Sequence, residues 1–273
     1  MSAANRVGAT IRPEDLAAVA TFLGRPAPQE VVPPCWHWFL LLDPVDPANL
    51  DDDGQVIGSP STPDPGMTRM FAGGRVTTHR QLQLDTETTR CSELTSCVDK
   101  QGRHGPLRFV TTTSTWSQHG RTCLVDEQDH VFLPRSPHED ASYTRAEGTA
   151  RAEGAAQAEG AGQVDGDGLL VSEPGLVTFS ALTANPYRIH WDRDFCRAQG
   201  HDGLVVHGPF QALLAALALD DSGAEFVGRR FSYRFTAPVT APTRLRVHRD
   251  GENVEVLRPD STVTTTARLD AAD

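Results

Sequence analysis

The chain has 273 residues, a formal charge of −11 at neutral pH and five cysteines. That length leaves room for two cores of about 100 to 150 residues each. An acidic balance without any Lys/Arg cluster argues against a nucleic-acid partner, because phosphate binding needs a concentrated basic surface. The absence of any apolar run of about 18 residues argues against a membrane span. Met1 to Arg12 shows neither an apolar h-region nor an Arg-rich amphipathic pattern, so no targeting segment is expected. Cys35, Cys91, Cys97, Cys123 and Cys196 are scattered and never spaced as CxxC. Neither a disulfide framework nor a metal site is therefore expected, and a reducing cytoplasm fits best.

After a disordered start, Pro13 to Leu23 reads as a helix. Pro13 suits its first turn, Glu14 and Asp15 its positive end, Leu16, Val19, Ala20 and Leu23 one apolar stripe, and Gly24 the stop. Pro26 to Pro65 reads as an irregular wrap around the apolar block Cys35 to Leu42, with Trp36, Trp38 and Phe39 as core anchors. From Met70 to Leu133 alternation predicts an antiparallel meander: Arg75–Leu82, Thr86–Asp99, Leu107–His119 and Arg121–Leu133. The Ala-Glu-Gly repeats between Arg145 and Gly168 predict a flexible linker, since such composition buries too little apolar surface to offset ordering entropy.

In the remainder, Val177, Phe179 and Ala181 alternate with Thr178 and Ser180 and predict a strand. A polar loop, Thr183 to Gly203, follows, with a short helix expected from Asp192. Phe210 to Leu219 is an apolar run of helical length and predicts a buried helix. Four strands complete the pattern: Glu225–Thr236, Thr243–Arg249, Asn253–Leu257 and Thr262–Leu269. One long apolar helix against a mostly antiparallel sheet implies an α+β unit.

Chemistry concentrates in Phe179–Asp192 and Gly203–Leu214. A loop holding Asn185 and His190, followed by Gly208 at a helix start, assembles an amide, a base and unpaired backbone N–H groups at a positive helix end. Those parts suit polarising a carbonyl while moving a proton beside it. Each also has a plainer use: His190 as a structural histidine, Asn185 before Pro186 as a turn, and Gly208 for close packing.

These two segments resemble the MaoC-like, type-2 enoyl-CoA hydratase signature, in which an acid residue and a histidine stand five apart in a loop and a Val-His-Gly turn opens the central hot-dog helix. Trp36-His37-Trp38, Met70-Phe-Ala-Gly-Gly-Arg75, Gly105-Pro-Leu-Arg-Phe-Val110 and Asp126-Glu-Gln-Asp129 are similar to the degenerate N-terminal hot dog of fused acyl dehydratases. The resemblance implies an α+β double hot-dog fold, two antiparallel sheets each wrapping a central helix. It divides the chain into a degenerate N-terminal unit (1–140), the linker (141–168) and a catalytic C-terminal unit (169–273).

It further implies syn addition of water across a 2-enoyl thioester, or the reverse, with His190 as the catalytic histidine and the Gly208 N–H on the thioester oxygen. Asn185 stands where the family's aspartate is usual and, being unable to titrate, would orient the water. Arg188, Tyr187, Trp191, His207 and Val206 are the candidate substrate-binding residues. Arg188 is placed to meet a carboxylate or CoA phosphate, Tyr187 and Trp191 are walls, and His207 is a structural neighbour. No cofactor or metal is expected beyond the coenzyme A thioester acting as substrate. The expected substrate is a short branched or dicarboxylic enoyl-CoA such as mesaconyl-C4-CoA, with a 3-hydroxyacyl group on an acyl carrier protein as the alternative. A hot-dog thioesterase using Asp192 or Asp194, or a non-catalytic acyl-binding module, are the rivals from other classes. The fusion imitates a homodimer, so a monomeric pseudo-dimer or a homo-oligomer is expected.

Overall fold

The computed structural model describes residues 4–57, 67–102, 105–134 and 168–272. The Ala/Glu/Gly tract lies outside these residues except for Gly168. The segment expected to be a disordered start forms a strand instead, β1 (Asn5–Ile11), paired antiparallel along its length with residues 86–92. Its side chains are mostly exposed, so backbone pairing rather than burial holds it, and that is invisible to hydropathy. The first helix begins as a 3-10 turn over Pro13–Leu16 and continues as α1 (Ala17–Leu23), closed by Gly24 in the left-handed conformation. The wrap that follows buries Trp36, His37 and Phe39 on a single 3-10 turn, Trp36–Phe39. The meander is β2 (Met67–Thr78), which begins eight residues before the expected Arg75–Leu82 and ends four before it, followed by β3 (Thr86–Gly102), β4 (Gly105–Gln118) and β5 (Arg121–Pro134).

Beyond β6 (Leu169–Val171) the strand expected around Val177 is a helix, α2 (Glu173–Leu182). Ser172 caps it by accepting a hydrogen bond from the Gly175 N–H at 3.2 Å, and Pro174 fits the first turn. Its buried residues are Leu176, Phe179 and Ser180, the i, i+3, i+4 spacing of a helix face. Of the residues whose alternation suggested a strand, Phe179 and Ser180 face the core while Val177, Thr178 and Ala181 are exposed, so burial follows the helical and not the two-residue period. Next come α3 (Arg193–Ala198), β7 (Leu204–Val205) and α4 (Gly208–Asp221), the last buried from Phe210 to Leu217 as its composition requires. The chain ends with β8 (Arg229–Phe235), β9 (Thr240–Ala241), β10 (Thr243–Asp250), β11 (Asn253–Leu257) and β12 (Val263–Ala271).

Ten strands form one sheet in the order β1-β3-β4-β5-β2-β8-β12-β11-β10-β6. Followed inward from either edge, the two halves have the same connectivity: β1-β3-β4-β5-β2 on one side and β6-β10-β11-β12-β8 on the other, once the separate β7–β9 pair is set aside. They meet at the β2–β8 seam, where Gly73–Thr78 runs antiparallel to Arg229–Arg234. Glycines make that approach possible. A Cβ at Gly73 would lie 2.4 Å from the Tyr233 carbonyl oxygen, and one at Gly74 2.5 Å from both the Glu127 carbonyl and the Tyr233 hydroxyl. The expected α+β double hot dog holds, with two particulars different. Its two sheets are continuous across the seam, and among the described residues only the second half wraps a long helix, α4, which packs on β8, β10, β11 and β12.

Candidate active site

The loop carrying Asn185 and His190 is fixed from both ends. At its start α2 closes in a Schellman turn. Ala184 is left-handed (φ 48°), the Asn185 N–H donates to the Ser180 carbonyl at 2.8 Å, and the Ala184 N–H donates to Ala181 at 3.3 Å. The Asn185 side chain then accepts the Tyr187 N–H at 3.2 Å, an Asx turn that sets the direction of the following 3-10 turn, Arg188–His190. At the far end Asp192 caps α3 by accepting from the Asp194 and Phe195 N–H groups, each at 3.0 Å. From the first half, the segment around Gly54 seats directly on this loop. The Asp53 carbonyl accepts the Arg188 N–H at 2.9 Å, and a Cβ at Gly54 would lie 2.3 Å from the Pro186 oxygen.

His190 is 9% exposed, and its Nδ1 donates to the Val205 carbonyl at 2.7 Å. A carbonyl only accepts, so the proton sits on Nδ1 and Nε2 keeps the lone pair. Burial pushes the pKa of His190 down to about 4; the Val205 carbonyl opposes that shift, and the charge of Arg69 adds to it. The imidazole is a neutral base at physiological pH. Behind it lies His207, 1% exposed, its ring stacked on that of His190 at 3.6 Å between centroids and 19° between planes. The Nε2 of His207 meets the Ser180 hydroxyl at 2.9 Å, and burial followed by the proximity of His190 holds its pKa well below the ordinary value.

Gly208 is the first residue of α4, whose earliest amides have no intrahelical acceptor. The Phe235 ring closes over it: a Cβ there would lie 2.8 Å from the ring, so a side chain forces Phe235 to move. Val206 is buried in the approach to the helix, its N–H donating to the Val239 carbonyl at 2.8 Å. A single short segment, Val205–Gly208, thus anchors the imidazole and delivers the helix N-terminus.

The remaining expected residues divide. Tyr187 is buried with its ring edge-on to His190 at 6.0 Å. Arg188 is committed to structure: it donates to Asp192 at 2.8 and 3.1 Å and to the Asp52 carbonyl at 3.2 Å, and lies over the Phe195 ring. Trp191 is 46% exposed, with its indole N–H on the Pro186 carbonyl at 2.9 Å. Its side chain is no wall of a buried pocket.

Sequence reasoning gave no role to a set of residues that the sheet brings in. Phe71 of β2 packs against Phe235 at 5.3 Å and stacks on His130 of β5 at 4.9 Å. Arg69 precedes it by two positions on the same strand. Only the β2–β8 seam places these first-half residues over a second-half helix, and no local pattern carries that information.

Residues 35–241 match the hydroxyacyl-thioester dehydratase type 2 family. The chain is 34% identical over 266 residues to a mesaconyl-C(4)-CoA hydratase of Chloroflexus aurantiacus, covering 93% of this chain and 90% of the relative. In structure it is similar to HtdX of Mycobacterium tuberculosis, with a TM-score of 0.67 at 16% identity, covering 99% of this chain and 100% of that one. It is also similar to a double-hot-dog protein from the same organism, with a TM-score of 0.54 at 15% identity and coverages of 99% and 96%. By the extent of the family match and of the Chloroflexus relative alike, the chain belongs to the hydroxyacyl-thioester dehydratase type 2 family.

Proposed function

We propose that this chain, a hydratase/dehydratase of acyl thioesters, adds water to a short branched or dicarboxylic 2-enoyl-CoA of the mesaconyl-C4-CoA kind, working at His190 and Gly208. One observation carries the reading: Val205–Gly208 fixes the His190 ring through Nδ1 and, three residues later, presents the first amide of α4. With Nδ1 engaged, Nε2 faces the chemistry and takes a proton from water as the water oxygen bonds the β-carbon. The thioester oxygen gains negative charge as an enolate and is held by the Gly208 N–H at the positive end of α4, an interaction worth several kcal/mol in a dry site. The proton then passes to the α-carbon, so one water is added and no co-reactant is consumed. Asn185, one lone pair of its Oδ1 engaged by the Tyr187 N–H, keeps its NH2 and the second Oδ1 lone pair to hold the water. It orients and does not titrate, and His190 alone moves protons.

Mesaconyl-C4-CoA and crotonyl-CoA, each incubated with the protein, test this when loss of enoyl absorbance and release of free thiol are followed separately. Enoyl loss without thiol is the expected result. Thiol release would mark a thioesterase, and binding without either change would mark an acyl-binding module; each overturns the reading.

A further inference from the structure

The first half meets the catalytic loop through a short turn, Asp51–Gln55, and that turn is braced from within. The Asp51 carboxylate accepts the Asp53 N–H at 3.0 Å and the Gln55 N–H at 2.7 Å, an Asx arrangement. The backbone closes the turn as well: the Asp51 N–H donates to the Gln55 carbonyl at 2.9 Å, and the Gly54 N–H to the Asp51 carbonyl at 3.0 Å. On either side of it Leu50 bridges Val56, and the Ile57 N–H donates to the Asn49 carbonyl at 2.7 Å.

Two carbonyls of this turn converge on one residue of the loop. Asp53 accepts the Arg188 N–H at 2.9 Å, and Asp52 accepts from the Arg188 guanidinium at 3.2 Å. Gly54 lies against the two residues before it. A Cβ there would stand 2.3 Å from the Pro186 oxygen, 2.9 Å from its carbonyl carbon and 3.4 Å from the Tyr187 Cα. All three are backbone atoms, which have no rotamer to turn away. Gly54 is also left-handed, with φ 83°, so the position asks for glycine both by conformation and by space. Pro186 adjoins Asn185, and Tyr187 is the N-cap of the 3-10 turn that ends at His190. A displacement at residues 186 and 187 therefore reaches both.

We propose that Gly54 is a positioning residue for the reaction: through the Asp51–Gln55 turn the first half sets the placement of Asn185 and His190. The effect on turnover rests on the hydratase reading. Bringing an added Cβ to ordinary contact requires the two backbones to part by about 1 Å, a misplacement that costs reacting groups on the order of 100-fold. Gly54 acts through the loop and not on the substrate, so the loss falls on kcat and leaves KM.

The test compares Gly54→Ala with Gly223→Ala, at the far end of α4. Gly223 is equally left-handed, with φ 80°, but a Cβ there meets nothing within 4 Å. It carries the backbone strain without the push. Turnover is followed with mesaconyl-C4-CoA and crotonyl-CoA, and the loop through the indole N–H resonance of Trp191, assigned with Trp191→Phe. That N–H donates at 2.9 Å to the same Pro186 carbonyl that Gly54 faces. Both glycine variants should lower the urea midpoint. Only Gly54→Ala should lower kcat, by about 10- to 100-fold with KM within about twofold, and only Gly54→Ala should shift the Trp191 resonance. Asp51→Ala unbraces the turn without a clash, should lower kcat by about 5-fold in the same way, and decides if Gly54→Ala does not fold. A kcat matching that of Gly223→Ala, or an unmoved Trp191 resonance, overturns the proposal. If the unmodified protein hydrates neither substrate, the hydratase reading falls by itself, and the Trp191 resonance then decides whether the turn positions the loop.

Discussion

Val32 and Val206 occupy the same place in the two halves of the molecule. The Val32 N–H donates to the Leu82 carbonyl at 2.9 Å, and the Val206 N–H donates to the Val239 carbonyl at 2.8 Å, each just beyond the inner strand of its half. From these matched points the chains part. Two residues on from Val206 stands Gly208, opening a 14-residue helix; two residues on from Val32 stands Pro34, followed by Cys35 at φ 66° and a single 3-10 turn. Proline has no N–H. The first half therefore lacks, at the equivalent position, the donor that would meet a thioester oxygen, and a cavity of about 300 Å³ lies against Pro34, Cys35 and His37. A shared sheet frame does not preserve chemistry. What differs includes one amide, the helix dipole behind it, and the loop with Asn185 and His190, for which Arg25–Val31 has no counterpart.

The two halves differ most sharply at Gly208. Gly208→Ala and Gly208→Pro both add a Cβ against Phe235, but only proline removes the N–H while still fitting the first turn of a helix. Relative to the alanine variant, the proline variant should lose a further ~100- to 1,000-fold in kcat, the scale of a deleted oxyanion donor. Equal kcat in the two would show that glycine is required there only for packing. His190→Ala should lower kcat by roughly two orders of magnitude or more with the fold retained, checked by circular dichroism alongside turnover. Near-normal turnover would remove His190 from the reaction.

How much of this was legible in the sequence follows from what each residue depends on. The meander, the buried α4 and the pairing of His190 with Gly208 rest on local alternation, apolar runs and short spacings, and all of these could be read directly. α2 was misread because Val177, Phe179 and Ala181 alternate by coincidence, whereas burial follows Leu176, Phe179 and Ser180. β1 escaped because an exposed edge strand has no hydrophobic signature. Arg188 suggested anion binding by its position in the loop, yet the i,i+4 partner Asp192 holds it. Arg69, Phe71 and His130 could not be found from the chain alone, since the seam that brings them to α4 joins residues far apart in sequence.

Smaller effects separate the halves by pH. His130 of the first half and His190 of the second have folded pKa values near 3 and 4 against an ordinary 6.5, and His207 is also strongly lowered. A histidine kept neutral in the fold contributes nothing above about pH 6.5, where both states are neutral; below that the unfolded chain binds protons that the native state refuses. Stability should therefore fall as the pH drops from about 7 to about 4.5, seen as a declining urea midpoint. His130→Phe should flatten part of that slope, because phenylalanine keeps the stack on Phe71 without titrating. A midpoint independent of pH over this range would contradict neutral burial of these rings.

The smallest test concerns the helix that follows the outer strand in each half. α1 starts from a 3-10 turn in which the Asp15 carboxylate accepts the Arg12 N–H at 2.8 Å but Arg12 itself offers no side-chain acceptor, whereas α2 is capped by Ser172, and α2 carries Phe179 and Ser180 against His207. Ser172→Ala removes one acceptor from a half-buried first turn and should cost about 1 kcal/mol of global stability. The Schellman turn that positions Asn185 lies at the opposite end of α2 and is tied by its own backbone hydrogen bonds. Fraying at the N-terminus should therefore stop before reaching it, leaving kcat within about twofold. If kcat instead drops in step with stability, the loop carrying His190 depends on the whole of α2 for its position, and the second half behaves as one cooperative unit from Ser172 to α4.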